Sequence, residues 1–187
     1  MATRAKKTAI IGTLAEWYAL DASVGVIIMK SNSFNDGTFK TMDMTRFVNL
    51  VGLVVGDESC MYVNELKLIG LNELQSVEIG MNSFTKRKNG ADSGYSGSLY
   101  LKNCPKLKSL RMGCYAFSTY KVIGIENVDA LEVIEMGDLN ELSYNFYYAS
   151  LELRSILPSQ RVMTRHAFSQ ITRLWLLGIR VLFSCCV

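Results

Sequence analysis

Leu107-Lys-Ser-Leu110-Arg-Met112-Gly-Cys-Tyr-Ala-Phe117 sets its apolar residues at places 1, 4, 6 and 11 of a short frame. The same frame recurs upstream as Leu74, Val77, Ile79 and Phe84, and again as Val24, Ile27, Met29 and Phe34. Copies at regular spacing make the chain an array of one unit rather than a sum of unrelated elements. The frames starting at Val24, Leu50, Leu74, Leu107 and Leu131 lie 26, 24, 33 and 24 residues apart. A second apolar pair begins eight residues before the next start in each case: Met42, Leu66, Leu99 and Ile123. The long interval holds nine extra residues (33 against 24) within Thr85–Ser98. That stretch is rich in Gly, Asn, Ser and the charges Lys86-Arg87-Lys88, which mark a surface loop.

Each unit alternates in polarity twice, as in Leu110-Arg-Met112 and Val77-Glu-Ile79, then Leu66-Lys-Leu68 and Leu99-Tyr-Leu101. Period two means a strand with one buried face. Every unit therefore supplies two short strands with a bend between them. Gly56, Gly80, Gly113 and Gly137 follow the first strand directly, where glycine permits backbone angles that other residues resist. Phe34, Cys60, Phe84 and Phe117 then plug the core beneath the bend. Stacking such units gives parallel strands on two faces of a narrow core, with little helix.

Three segments follow. Residues 1–23 lie outside the frame and are expected to form a cap or irregular segment, with a short helix over Ala9–Leu20 that packs through Trp17 and Tyr18. Residues 24–157 hold about five units. The fifth, from Leu131 through Ile134 and Met136, lacks an aromatic in its regular place. Residues 158–187 form a degenerate sixth unit and an apolar tail: Met163-Thr-Arg-His-Ala-Phe168 echoes Met112–Phe117, while Pro158 and Arg161 occupy the first two apolar places.

The frame L-x-x-L-x-L-x-x-N-x-F resembles that of the leucine-rich repeat, and Leu74-x-x-Val77-x-Ile79-x-x-Asn82-x-Phe84 matches it in every place. The element Gly80-Met-Asn-Ser83-Phe84, repeated as Gly113-Cys-Tyr-Ala116-Phe117, is similar to the surface-antigen-like protist and bacterial branch of that family. The resemblance implies a β-rich leucine-rich-repeat solenoid, with the α/β horseshoe as the family-level class. It also implies a non-catalytic scaffold that binds a protein partner through an extended repeat surface. Glu58, Tyr115 and Leu139 stand in the asparagine place elsewhere, so an unbroken asparagine ladder is not expected.

Composition fits this reading. With 49% hydrophobic residues in 187, the chain can fill a continuous core, and the net charge of +3 does not mark a nucleic-acid binder. Lys6-Lys7 precede a short apolar run, but Glu16 and Asp21 interrupt it before a signal peptide could form. No run of about 18 uncharged apolar residues provides a transmembrane helix. The five cysteines, Cys60, Cys104, Cys114, Cys185 and Cys186, are odd in number and lack a CxxC spacing. They argue against a disulfide framework or metal site and mildly favour a reducing, cytoplasmic compartment.

No cofactor is called for. No phosphate loop occurs, and the single histidine, His166, falls on a turn place equivalent to Tyr115. Glu73, Glu78, Glu132, Glu135 and Asp138 recur because the repeat turns polar residues outward, and nothing selects a catalytic pair among them. The candidate binding residues are the outward places of the first-strand sheet: Ser76 and Glu78, Ser109 and Arg111, Val133 and Glu135. With strands about 4.8 Å apart, Glu78, Arg111 and Glu135 should form a charge ladder. It serves either to align repeats or to dock a partner. The run Tyr144-Asn-Phe146-Tyr147-Tyr148 either replaces the missing plug or forms an interface. The apolar tail Leu182–Val187 either folds back as a final strand, or allows self-association, or marks a structural fragment of a longer array with no partner of its own.

Overall fold

The computed structural model describes residues 6–85, 97–137, 144–146, 149–154, 160–165, 173–177 and 179–184; beyond Arg154, and at Leu151, it describes backbone alone. The chain runs β1 (Thr8–Ile11), α1 (Leu14–Tyr18), β2 (Val26–Met29), β3 (Thr41–Asp43), β4 (Gly52–Val55), β5 (Glu65–Ile69) and β6 (Ser76–Ile79). It continues through β7 (Gly97–Lys102), β8 (Ser109–Met112), β9 (Tyr120–Glu126), β10 (Val133–Met136), β11 (Ser150–Arg154), β12 (Gln160–Arg165), β13 (Arg173–Leu177) and β14 (Ile179–Ser184). From β2 to β14 successive strands alternate between two all-parallel sheets. One has the order β1-β2-β4-β6-β8-β10-β12-β14, the other β13-β11-β9-β7-β5-β3.

The period-two pattern positions the core between the sheets. Ile27, Leu53, Val77, Leu110 and Ile134 share one register position and are buried, as are Met29, Val55, Ile79, Met112 and Met136 two residues on. The second sheet answers with Met42, Leu66, Leu99 and Ile123, and with Leu68, Leu101, Ile125 and Leu153. The register across the 85–98 insertion is intact: Leu66 pairs with Leu99 and Leu68 with Leu101.

The bends after β2, β4, β6, β8 and β10 share one conformation. Asn32, Glu58, Asn82, Tyr115 and Tyr144 have positive φ, and so do Phe34, Cys60, Phe84, Phe117 and Phe146 two residues later. Left-handed backbone costs a non-glycine residue roughly 1–2 kcal/mol, and the bend recovers this through bonds to both neighbours. Asn32 N donates forward to Asp57 O at 2.8 Å and Glu58 N to Met81 O at 2.8 Å. Cys60 N donates backward to Ser33 O at 2.9 Å and Phe84 N to Ser59 O at 3.0 Å. Buried rings then stack beneath the bend. Phe84 lies 4.8 Å from Phe117, Phe117 lies 5.6 Å from Phe146, and Tyr120 meets Phe117 edge-on at 4.9 Å.

Several expectations are corrected. Ala9–Leu20 is not one helix. Thr8–Ile11 is a strand paired with Val26–Met29, so the sheet crosses the boundary drawn at residue 24. The helix is only Leu14–Tyr18, started by a capping box between Thr13 and Glu16. Trp17 is buried against Phe34, Phe39 and Phe47, whereas Tyr18 is 67% exposed and does not pack. Of the two readings of the Tyr144–Tyr148 run, replacement of the plug holds for Phe146, which is buried in that place, and Tyr144 takes the turn position, stacked on Tyr115 at 4.9 Å.

The glycines after the first strand serve close packing, because Gly56, Gly80 and Gly113 lack positive φ and Gly137 alone among the four has it. A Cβ on Gly56 would stand 2.4 Å from Ser31 N, and one on Gly113 2.6 Å from Met81 N. In the last unit, Met163 pairs with Val133 and Thr164 with Ile134, so Met163 is three places away from the Met112 equivalence. Lys86–Lys88, Asp138, Tyr147, Tyr148, Pro158, His166, Phe168, Cys185 and Cys186 lie outside the described residues.

Candidate docking face on the eight-stranded sheet

The outward places of the first sheet form two columns. The first runs Thr8, Val26, Gly52, Ser76, Ser109, Val133 by register. The second runs Ile10, Ile28, Val54, Glu78, Arg111, Glu135, with Arg165 at the next register position. All five candidate residues, Ser76, Glu78, Ser109, Arg111 and Glu135, are thus brought onto one face of β6, β8 and β10. Arg111 sits in the middle. Its Nε lies 3.2 Å from Glu135 Oε2, a hydrogen-bonding distance, and its Nη1 lies 3.7 Å from Glu78 Oε1, a looser ion pair. The side chains are 55% exposed at Arg111, 50% at Glu78 and 31% at Glu135, so water screens both pairs.

A groove of about 590 Å³ opens on this face, lined among others by Val54, Glu78, Ile79, Arg111, Met112 and Glu135. Its floor belongs to the strand ends, and Gly80, Gly113 and Gly137 form the side where each strand turns away. Such a site offers one planar five-donor guanidinium between two carboxylates, over a partly apolar floor. The chemistry available is pairing with charged groups of a partner.

Three features escaped the sequence reading. First, the charged column continues into an apolar one, Val54, Ile28 and Ile10, the last 60% exposed. The alternation within each strand conceals this, because the residues are neighbours only through register. Second, the other sheet carries its own column. Lys102 Nζ lies 2.9 Å from Glu126 Oε2, and Arg154 pairs by register with Glu126. The Lys102 bond, reinforced by its charge, holds the Glu126 carboxyl below its ordinary range. Lys102 and Glu126 follow Leu101 and Ile125, so the frame itself would have revealed them.

Third, the serine that precedes the plug residue in successive bends, Ser33, Ser59 and Ser83, builds a buried ladder. Ser59 Oγ accepts from Ser33 N at 3.2 Å and donates to Lys30 O at 2.9 Å. Ser83 Oγ accepts from Ser59 N at 3.1 Å and donates to Gly56 O at 2.8 Å. Asn145 takes up the donor role further on, reaching Gly113 O at 2.8 Å and Ala116 O at 3.0 Å.

Among the described residues, no three His, Cys, Asp or Glu side chains group as a metal site, and no helix is long and apolar enough to cross a membrane. Burial pushes the Cys60 thiol far up and that of Cys104 up to about 11. Both are core residues held in the neutral form. No family model, curated protein or solved structure matches this chain.

Proposed function

We propose that the chain is a leucine-rich-repeat solenoid that acts as a non-catalytic protein–protein interaction scaffold. The outer face of the eight-stranded sheet is its docking strip. The repeat reading is supported by the frame at Leu74–Phe84 and by the alternation of the chain between two parallel sheets. The observation that carries the docking reading is Arg111, 55% exposed between Glu78 and Glu135 at the centre of the face. Exposed ion pairs contribute only ~0–1 kcal/mol each to stability, so little folding energy depends on this arrangement.

The experiment reverses Arg111 to Glu and follows both melting temperature and saturable capture of a crosslinked partner from the source cell. Lost capture with a melting temperature lowered by no more than about 4–5 °C is expected, since exposed pairs are cheap and ~1 kcal/mol moves Tm by only a few degrees. A large loss of stability with capture unchanged would return the ladder to a purely structural role. Failure of the well-folded wild-type chain to capture anything saturable would remove the scaffold reading.

A further inference from the structure

We infer that the occupant of this face is a second copy of the chain, related by a two-fold axis that runs along the strands between β8 and β10. This rests on the docking reading above and names its partner. A two-fold axis in that place sets β8 of one copy over β10 of the other and β6 over β12, so that each column faces its own reversed order. In the second column the order Glu78, Arg111, Glu135, Arg165 then faces Arg165, Glu135, Arg111, Glu78. Arg111 and Glu135 then meet across the axis twice, and Glu78 meets the register position of Arg165.

The first column obeys the same axis by size. Ser109 meets the register position of Val133, Ser76 that of Met163 and Gly52 that of Leu182, a small residue opposite a larger one each time. An axis half a strand to either side, on β8 or on β10, would set Glu78 over Glu135 or Arg111 over the position of Arg165, with like charges facing, and one a full strand away would set Glu135 over Val54 or Arg111 over the register position of Ser184. Only the β8/β10 axis pairs opposite signs throughout the charged column. Arg111 can serve both contacts. Its guanidinium has five N–H donors and directs Nε and Nη1 to the carboxylates of its own chain, which leaves donors for a third.

The size of the face sets the strength. Six strands of four residues cover about 29 by 13 Å, or ~380 Å² flat, well under the ~800 Å² per partner of a stable complex. The dimer is therefore weak, with a dissociation constant in the micromolar range or above, and falls apart in salt because its pairs are exposed.

Sedimentation velocity on the full chain tests this, at about 10–200 μM protein and at ~0.05 M against ~0.5 M salt. A monomer–dimer equilibrium that weakens at least about tenfold in the higher salt is expected. Arg111→Glu and Glu135→Arg should each be monomeric alone, since each sets like charges across the axis. Mixed in equal amounts, the two chains should dimerise again, because the Glu at 111 then faces the Arg at 135 and the native pair faces itself on the other side. Circular dichroism confirms that each variant is folded, and the wild-type salt dependence stands as a readout if one is not. Wild type that stays monomeric at low salt overturns the inference, as does a mixture of folded variants that does not associate. If wild type is monomeric yet crosslinks to a different protein through Arg111, the second-copy inference falls and the docking reading stands. If it is monomeric and captures nothing, both fall.

Discussion

Replacing Gly80 by Ala probes how closely the turns of this chain are stacked. The added Cβ would lie 2.5 Å from Asp57 N and 2.5 Å from Gly56 C, where ordinary contacts lie at 3.4–4 Å. Both clashing atoms are backbone, so no side chain can rotate away, and the neighbouring turns must part by roughly 1 Å. Around that point Gly80 N donates to Val55 O at 2.7 Å, Met81 N to Asp57 Oδ1 at 2.7 Å and Ser83 Oγ to Gly56 O at 2.8 Å. Overpacking costs about 1–3 kcal/mol, and weakening one of these bonds adds ~1 kcal/mol, so a loss of roughly 2–4 kcal/mol is expected. Two controls separate sterics from backbone angle. Gly37 has nothing within 4 Å and no positive φ, so its Ala variant should change stability by less than ~0.5 kcal/mol. Gly70 also has nothing within 4 Å but sits at φ 71°, so Ala there should cost about 1 kcal/mol. Urea unfolding followed by circular dichroism measures all three. A Gly80→Ala variant no less stable than Gly37→Ala would refute the claim that glycine is required there by backbone approach.

Ser59→Ala should cost about 1–3 kcal/mol in the same assay, because it removes the acceptor for the buried Ser33 N–H and the donor to Lys30 O. Cys60 and Cys104, whose thiols burial keeps neutral, should resist a thiol reagent in the native protein and react only on unfolding; site-resolved mass spectrometry reads this directly, and prompt native labelling of either would contradict their placement. The Glu16 carboxyl is held below its ordinary range by the Gly12 N–H and then by the Thr13 hydroxyl. A depressed folded value means its contribution is complete above the unfolded value of about 4.3 and fades as pH falls through the folded one. Acid titration followed by tryptophan fluorescence in a Trp175→Phe background, which leaves Trp17 as the reporter, should therefore show a transition at low pH that Glu16→Gln flattens.

What the sequence made legible is what repeats with period two. Leu110, Met112 and their copies declare an inward face, and the eight-residue offset of the second pair places the other sheet in register with the first. Thr8–Ile11 was hidden because its flanks do not carry the frame: α1 and its cap stand where a plug would be, and Trp17 does the packing. Phe146 was legible as one of two readings of the Tyr144–Tyr148 run rather than from the frame, because extra residues between Met136 and the turn shift it out of the counted spacing, although its φ and its stacking on Phe117 match its counterparts. The role of the glycines was misjudged because a close approach depends on the next turn, and a local motif contains no information about its neighbour. The candidate site followed from the frame, since Glu78, Arg111 and Glu135 occupy one outward place in three consecutive units.

On the docking reading proposed above, the same geometry places specificity in the outward columns. The inward places are committed to packing, and the bends are committed to bonds with adjacent turns, so two outward columns per sheet are what can vary without loss of the fold. Along the second column, Ile10, Ile28, Val54, Glu78, Arg111 and Glu135 are separated by 18, 26, 24, 33 and 24 residues in sequence, yet neighbours stand about 4.8 Å apart across the sheet. Any partner therefore reads a column, not a segment. A peptide cut from one strand, such as Ser109–Met112, carries Arg111 but none of its neighbours. It should not compete for the face even in large excess, whereas the intact chain with only Arg111 reversed retains every neighbour and loses the match at one place. If the isolated peptide did compete, recognition would depend on local sequence and the column argument would fail.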